Sequence, residues 1–386
     1  MSENLNEGQT LPQNKFKAYM KSLPKRYFIT AFSGMALGLF CTLIAGTIIG
    51  MVAGWIGDNF FGNFLSAVST VAKILMGAGI GIGIAYKLNA KPLVIFTAAV
   101  TGFIGAFSLN VINGELNAAY FSTIFAKGLP GNPIGSYVVA LFTIEIASLY
   151  AGKTKFDIIF VPIGMILMCL GGVFLAWPFI KLIDLFAKLL VITINAGAAV
   201  KIITGVVVAV IMGILLTMPT SSAAIWVAIA TSNTATENPE VFAIAGGAAV
   251  AGCAAHMIGF AVSSFRENGF GGLVSQGLGT SMLQIPNIMK KPIIMLPEII
   301  ASALSGLVAV LLNLHCTAAG GGMGTSGLVG LFGVIDSCQL YGVEVWKYVV
   351  GITLCLFVIP AAASLLSSEF MRKKGLIKLG DMKLPD

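Results

Sequence analysis

Apolar runs of about twenty residues follow one another along almost the whole chain, the length a helix needs to cross a ~30 Å hydrocarbon core. They lie at 28–54, 64–87, 92–111, 134–151, 157–177, 197–218, 241–263, 292–314 and 347–369. Of the 386 residues 57% are hydrophobic and only 10% are charged, against about 25% charged in an ordinary soluble domain. The runs are continuous rather than alternating, which excludes a β-barrel. The expected fold is an all-α polytopic membrane protein.

A shorter apolar piece, 221–234, follows the sixth run and reads as a tilted, broken or re-entrant helix. Counted as a crossing, it brings the total to about ten transmembrane helices. Basic residues set the orientation. Lys15, Lys17, Lys21, Lys25 and Arg26 precede the first run, and Lys87, Lys91, Lys153 and Lys155 occupy alternate loops. Arg266, Lys290 and Lys291 follow, and then a tail with Arg372, Lys373, Lys374, Lys378 and Lys383. The opposite loops hold Asp58, Glu115 with Lys127, Glu237 and Glu240. The positive-inside rule then places both termini in the cytoplasm of a multi-pass cell-membrane protein. Trp55, Trp177 and Trp346 fall at outer ends of runs, as an interfacial belt requires. The first 27 residues have no apolar core of a cleavable signal. The net charge of +7 reads as topology, not as affinity for nucleic acid.

Between Phe179 and Gly197, Lys181, Asp184 and Lys188 share one helix face while Leu182, Ile183, Phe186 and Leu189 fill the other. Such a helix lies in the membrane interface. It divides the chain into an N-terminal tail (1–27), a first helical bundle (28–177), the amphipathic linker (178–196), a second half (197–370) and a C-terminal tail (371–386). In the first bundle, Gly34 and Gly38, then Gly46, Gly50 and Gly54, recur four apart, and Gly77–Gly83 is glycine-rich. Small residues on one face let helix backbones approach closely, within the chain or across a dimer. The six cysteines form no C-x-x-C pair and read as small buried hydrophobes.

Ionisable groups within the runs are few: Lys73, Glu145, His256, Glu298 and, near an outer end, His315. Lys73 and Glu145 read as a mutual ion pair or as snorkelling side chains; an ionisable group at such depth is otherwise a functional candidate. Three broken segments hold most of the remaining chemistry. In "MPTSSAAIW", Pro219 ends one helix and Thr220, Ser221 and Ser222 open a short one, whose Trp226 would face lipid or stack on a ligand. The stretch from Arg266 to Pro292 is apolar, glycine-rich and uncharged at its centre, with Gln276, Thr280, Ser281, Gln284 and Asn287 as donors and acceptors. It reads as a re-entrant loop or packed gate, or as a loop packed on the bundle. "HCTAAGGGMGTSGLVGLFG" is too rich in glycine for a stable helix and reads as a second re-entrant segment. The motif G-x-G-T-S occurs in both of the latter, at Gly277–Ser281 and Gly322–Ser326.

The expected solute-binding residues are therefore Thr220, Ser221, Ser222, His256, Gln276, Thr280, Gln284, Asn287, Glu298, Thr325 and Ser326. Gly277, Gly279, Gly322, Gly324 and Gly327 would give close backbone approach or hinges. Neither motif copy is a phosphate-binding loop, since no Lys follows the glycines. No metal-ligand cluster, cofactor motif or Ser-His-Asp grouping stands out, so catalysis by this chain alone is not expected.

The segments "MPTSSAAI", "ENGFGGLVSQGLGTSMLQIPNIMKKPII" and "GGGMGTSGLVGLFGVI" resemble a family of stand-alone membrane proteins classed with the EIIC subunits of the bacterial phosphotransferase system. That family includes regulators of the perfringolysin-regulator type, and the resemblance runs from about 25 to 370. It implies the glucose-superfamily plan: about ten spans, an amphipathic linker helix, two re-entrant hairpins and a homodimer. It also implies a ligand held near the midplane at the hairpins, often by a carboxylate and a histidine, for which Glu298 and His256 are available. Phosphorylation would then need separate partner subunits, because this chain carries no soluble phosphorylatable domain. The leading expectation is a transporter of a small polar, sugar-like solute. A ligand-sensing regulator without transport and an ion-coupled exporter of a non-sugar metabolite stay open.

Overall fold

In a computed structural model the protein is described over residues 22–115, 118–127, 129–218 and 222–384. The elements of these residues are all helical. Among the described residues, seven helices are long and apolar enough to cross a membrane: Ser22–Ile56, Pro133–Tyr150, Asp157–Asn195, Ala198–Thr217, Pro239–Ser263, Pro292–Leu311 and Val345–Lys373. An eighth crossing forms if Phe60–Ile74 and Met76–Lys87, bent by 54° at Leu75, count as one span. This is fewer than the ten expected. The difference falls on helices that apolar composition alone over-counts, namely Pro92–Ala106 with 15 residues and Ser222–Ala230 with nine.

Local chemistry sets the boundaries. Asn59 caps the Phe60 helix by accepting from the Gly62 N–H at 3.0 Å. Asn132 does the same for the Pro133 helix, accepting from Ile134 and Gly135 at 2.9 and 3.0 Å. Proline opens the Pro92, Pro133 and Pro239 helices, where its missing N–H costs nothing. The linker is no separate element: the helix runs unbroken from Asp157 to Asn195, through Pro178. At 39 residues it is about 58 Å long, twice the hydrocarbon thickness, so part of it extends beyond a span. Asp184 on its polar face accepts from the Thr234 N–H at 3.0 Å and the Thr234 hydroxyl at 2.7 Å.

Glycine faces build the first bundle. A Cβ on Gly38 would collide with the Gly79 carbonyl, and one on Gly81 with the Ala98 carbonyl. The backbones of Ser22–Ile56, Met76–Lys87 and Pro92–Ala106 thus touch directly. Lys73 and Glu145 form no pair: Glu145 accepts from Arg26 Nε at 2.7 Å. Trp55, Trp177 and Trp346 are exposed, whereas Trp226 is buried against Gly321, away from lipid. Five cysteines are buried and Cys41 is exposed; all six are free.

The apolar core is divided. One cluster runs from Ala31 to Ile180 and takes in Ala224, Val227 and Ala228 of the short helix. Further clusters join the helices after Ile194. A small one, with Ile44, Ala223, Ala319, Met323 and Val329, forms the seam between the halves out of the broken segments.

Candidate functional site

The two G-x-G-T-S segments meet. The Thr325 hydroxyl donates to the Gly277 carbonyl at 2.6 Å, and the Ser326 hydroxyl donates to the Gly279 carbonyl at 3.0 Å. The short Ser222 helix joins them, its Ser222 hydroxyl donating to the Gly322 carbonyl at 2.7 Å. Backbone that has left a regular helix at this depth must find partners or line a cavity. Here hydroxyls from one broken segment satisfy carbonyls of the next.

The glycines divide by role. A Cβ on Gly322 would stand 2.7 Å from the Ser222 carbonyl oxygen, and one on Gly324 2.7 Å from the Ala254 nitrogen. Gly324 and Gly327 also have φ of +56° and +52°, a region that L side chains rarely enter. Gly277 and Gly279 make no close approach: a Cβ at Gly277 would find ordinary contact and one at Gly279 open space.

Where the segments join, a cavity of about 210 Å³ opens between the halves. The first helix contributes Ser33, Ala36 and Phe40 to it, and the second half contributes Ser222, Gly279, Thr280 and Ser326. Met257, Met282 and Met323 supply an adaptable apolar wall. The Thr280 hydroxyl accepts from the Met282 N–H at 3.2 Å and fixes the turn into the following short helix.

A second polar group lies behind this wall. The Thr217 hydroxyl sits between His256 Nδ1 at 2.7 Å and the Ser281 hydroxyl at 2.9 Å. His256 is fully buried, and its Nε2 has no hydrogen-bond partner among the described residues. Glu298, also fully buried, accepts from the Ser263 hydroxyl at 2.9 Å through Oε1, while Oε2 has no partner among the described residues. Glycine makes room for both: a side chain at Gly213 would strike the His256 ring, and one at Gly259 would meet Glu298 and Ser364.

The structure therefore divides the expected residues. Ser222, Thr280 and Ser326 line the cavity; Thr325 holds the two segments together, and His256 and Glu298 lie outside the lining. Gln276, Gln284 and Asn287 also lie outside it and bond along a chain of amides that ends on the C-terminal tail. Thr220 and Ser221 lie outside the described residues. Sequence reasoning missed Thr217, whose signal was a hydroxyl one residue short of the helix-ending Met-Pro. It also missed Ser33, which nothing local distinguishes from the serines and threonines that bond their own helix. Ser33 donates to the Ile29 carbonyl at 2.7 Å and still reaches the cavity wall.

A polytopic helical bundle with a cavity, partly lined by hydroxyls, at the seam of two halves is the layout of a membrane transport protein. The family described as "Phosphotransferase system, EIIC" matches residues 29–384, and the chain belongs to that family. It is a phosphotransferase-type membrane transport protein for a small polar solute. No curated protein and no solved structure matches the chain.

Proposed function

We propose that the chain carries a sugar-like, polyhydroxylated solute through the cavity at the seam, as the membrane subunit of a phosphotransferase system. The observation that carries this reading is the cavity itself. Its walls come from both halves and present Ser33, Ser222, Thr280 and Ser326 among methionines, with no charged side chain among its lining residues. The Ser33, Ser222 and Ser326 hydroxyls already donate to backbone carbonyls and offer acceptor oxygens, while Thr280 keeps a proton to donate; such uncharged groups beside apolar surface suit a neutral polyol better than an anion or a cation. The volume suits a small solute rather than a drug-sized ligand.

On this reading the bent pair is one span, the Pro92–Ala106 helix crosses and the Ser222 helix counts as a broken crossing, which brings the total to ten and puts both termini in the cytoplasm. The second half shifts as a unit against the first, exposing the seam to each side in turn. Glu298 and His256 approach the solute from behind the methionine wall. The chain works as a homodimer with separate phosphorylating subunits, within the branch that includes perfringolysin-regulator-like proteins.

The test is ligand-induced thermal stabilisation, followed by uptake into proteoliposomes, across a panel of sugars, polyols and organic acids. A sugar or polyol that both stabilises and accumulates is expected. Binding without uptake would replace transport by sensing. Uptake of an organic acid driven by an ion gradient would replace the phosphotransferase mode.

A further inference from the structure

The last described residues, up to Leu384, are not a free tail. After the Val345–Lys373 helix the chain reverses and lays Ile377 and Met382, 2% and 0% exposed, among Phe260, Ile288, Ile294 and Met371. The side chains that receive it read its backbone. Asn268 Nδ2 and Gln284 Nε2 both donate to the Met382 carbonyl at 2.9 Å, and Asn287 Nδ2 donates to the Lys383 carbonyl at 2.8 Å. The Leu384 N–H donates back to Asn268 Oδ1 at 2.8 Å, and the Gly380 N–H to Glu267 at 3.1 Å. Gln276 and Gln284 are fully buried, so this is a built site and not a surface contact.

We propose that Asn268, Gln284 and Asn287 form a peptide-binding site whose resident ligand is the chain's own segment Asp381–Leu384, and that this segment straps shut the approach to Ser263 and Glu298. Three features support a detachable ligand. The segment has no helix or strand of its own, only two turn bonds, from the Asp381 N–H to the Lys378 carbonyl and from the Lys383 N–H to the Gly380 carbonyl, and the bonds that tie it to the bundle come from side chains of other elements; segments of that kind lie at the low end of local stability. Paired amide donors and acceptors match a peptide backbone, whatever its side chains. One residue, Met382, is the plug: its sulfur lies 3.7 Å from the Ser263 hydroxyl, the group that holds Glu298. Lifting the segment removes that plug and leaves the amides facing open space. The proposal rests on the transport reading only for what the strap closes, and the following experiment needs no solute.

A chain ending at Lys374 is titrated with a fluorescent synthetic peptide of residues 376–386. Saturable binding is expected, weakened about tenfold by Gln284→Leu in the protein, which removes one hydrogen bond to the peptide, one to Gln276 and one from Asn287. A peptide carrying Met382→Glu should not bind. A folded truncated chain that ignores the peptide, or binds both peptides alike, overturns the site. Should the truncated chain not fold, the full chain decides, as Met382→Cys in a Cys41→Ser background treated with a membrane-impermeant maleimide. Slow labelling, accelerated about tenfold by Gln284→Leu, supports a strap that opens; equal rates overturn it. Ser263→Cys in the same background tests closure, since labelling no faster with Met382→Glu than without it overturns that part.

Discussion

The hydroxyl of Thr325 donates to the carbonyl of Gly277 at 2.6 Å, joining two copies of one five-residue motif that arrive from different helices. Thr325 is fully buried, whereas Thr280, its counterpart in the other copy, lines the cavity. The copies are alike in sequence and different in task. Thr325→Val leaves a buried carbonyl without its donor and should cost about 1–3 kcal/mol. Thr280→Val loses a cap bond, about 1 kcal/mol, together with a hydroxyl in the cavity. Thermal unfolding should therefore rank Thr325→Val as the less stable variant, and solute titration should rank Thr280→Val as the weaker binder. The reverse order in both would overturn this division.

Close approach of glycine faces predicts a sharp contrast within the first helix. Gly38→Ala pushes a methyl group into the Gly79 carbonyl and should destabilise by about 1–3 kcal/mol. Gly54→Ala meets nothing within 4 Å and should be neutral or, by helix propensity, up to about 1 kcal/mol stabilising. Melting temperatures in detergent check both.

Thr217 bridges His256 and Ser281 with a single hydroxyl. Thr217→Val leaves both partners short of a bond in a buried site and should cost about 1–3 kcal/mol. Thr217→Ser keeps the hydroxyl and should recover most of it. Equal losses in the two variants would mean that the methyl group matters and the bridge does not.

Glu298 has no cationic partner among the salt bridges of the described residues. Burying an unpaired charge is costly, so Glu298→Gln, which can still accept from Ser263, should melt no lower than the parent chain. Glu298→Ala leaves a cavity and should melt lower. A large loss of stability in the glutamine variant would show that a charge is needed there.

Lys291 holds Asp381 at 2.6 Å on the folded-back tail. Burial acts to raise the Asp381 carboxyl, but the bonds from Lys291 and from the Lys378 N–H, and the charge of both lysines, outweigh it and hold the group below the usual carboxylate range. A lowered folded value means that the contribution is fully present above the unfolded value, about 3.9, and is lost as pH falls through the folded one. Protection of Met382→Cys from maleimide should be flat from about pH 8 to 5 on account of this group, and should weaken below about pH 4. Asp381→Asn should weaken it above about pH 5 and remove that step.

Local features carried far in this protein. Continuous apolar runs forced an all-helical membrane fold, because backbone polar groups have no water to bond within the hydrocarbon. Pro219 and the glycines at 320–324 marked where helices break, since each removes or weakens the intrahelical ladder whatever surrounds it. The glycine stripes of the first bundle were legible as contact faces for the same reason: four-residue spacing puts them on one side of any helix.

The partners were not legible. Gln284 reaches a carbonyl 98 residues away, and Thr325 one 48 residues away. An amide or a hydroxyl carries no mark of which backbone group it will meet, so Gln276, Gln284 and Asn287 could read as solute ligands with equal right. Apolar side chains in a basic tail carried too weak a period to announce that Ile377 and Met382 are buried.

By itself the sequence determined the medium, the secondary structure and the places where helices give way, because solvation and backbone sterics act residue by residue. Only the tertiary structure decided that the two G-x-G-T-S segments bond to each other, that Thr280 and Ser326 face a cavity while Thr325 does not, and that the tail is folded back on the bundle. Those outcomes depend on which surfaces fill the space beside each helix. That is a property of the whole packed chain and not of any segment.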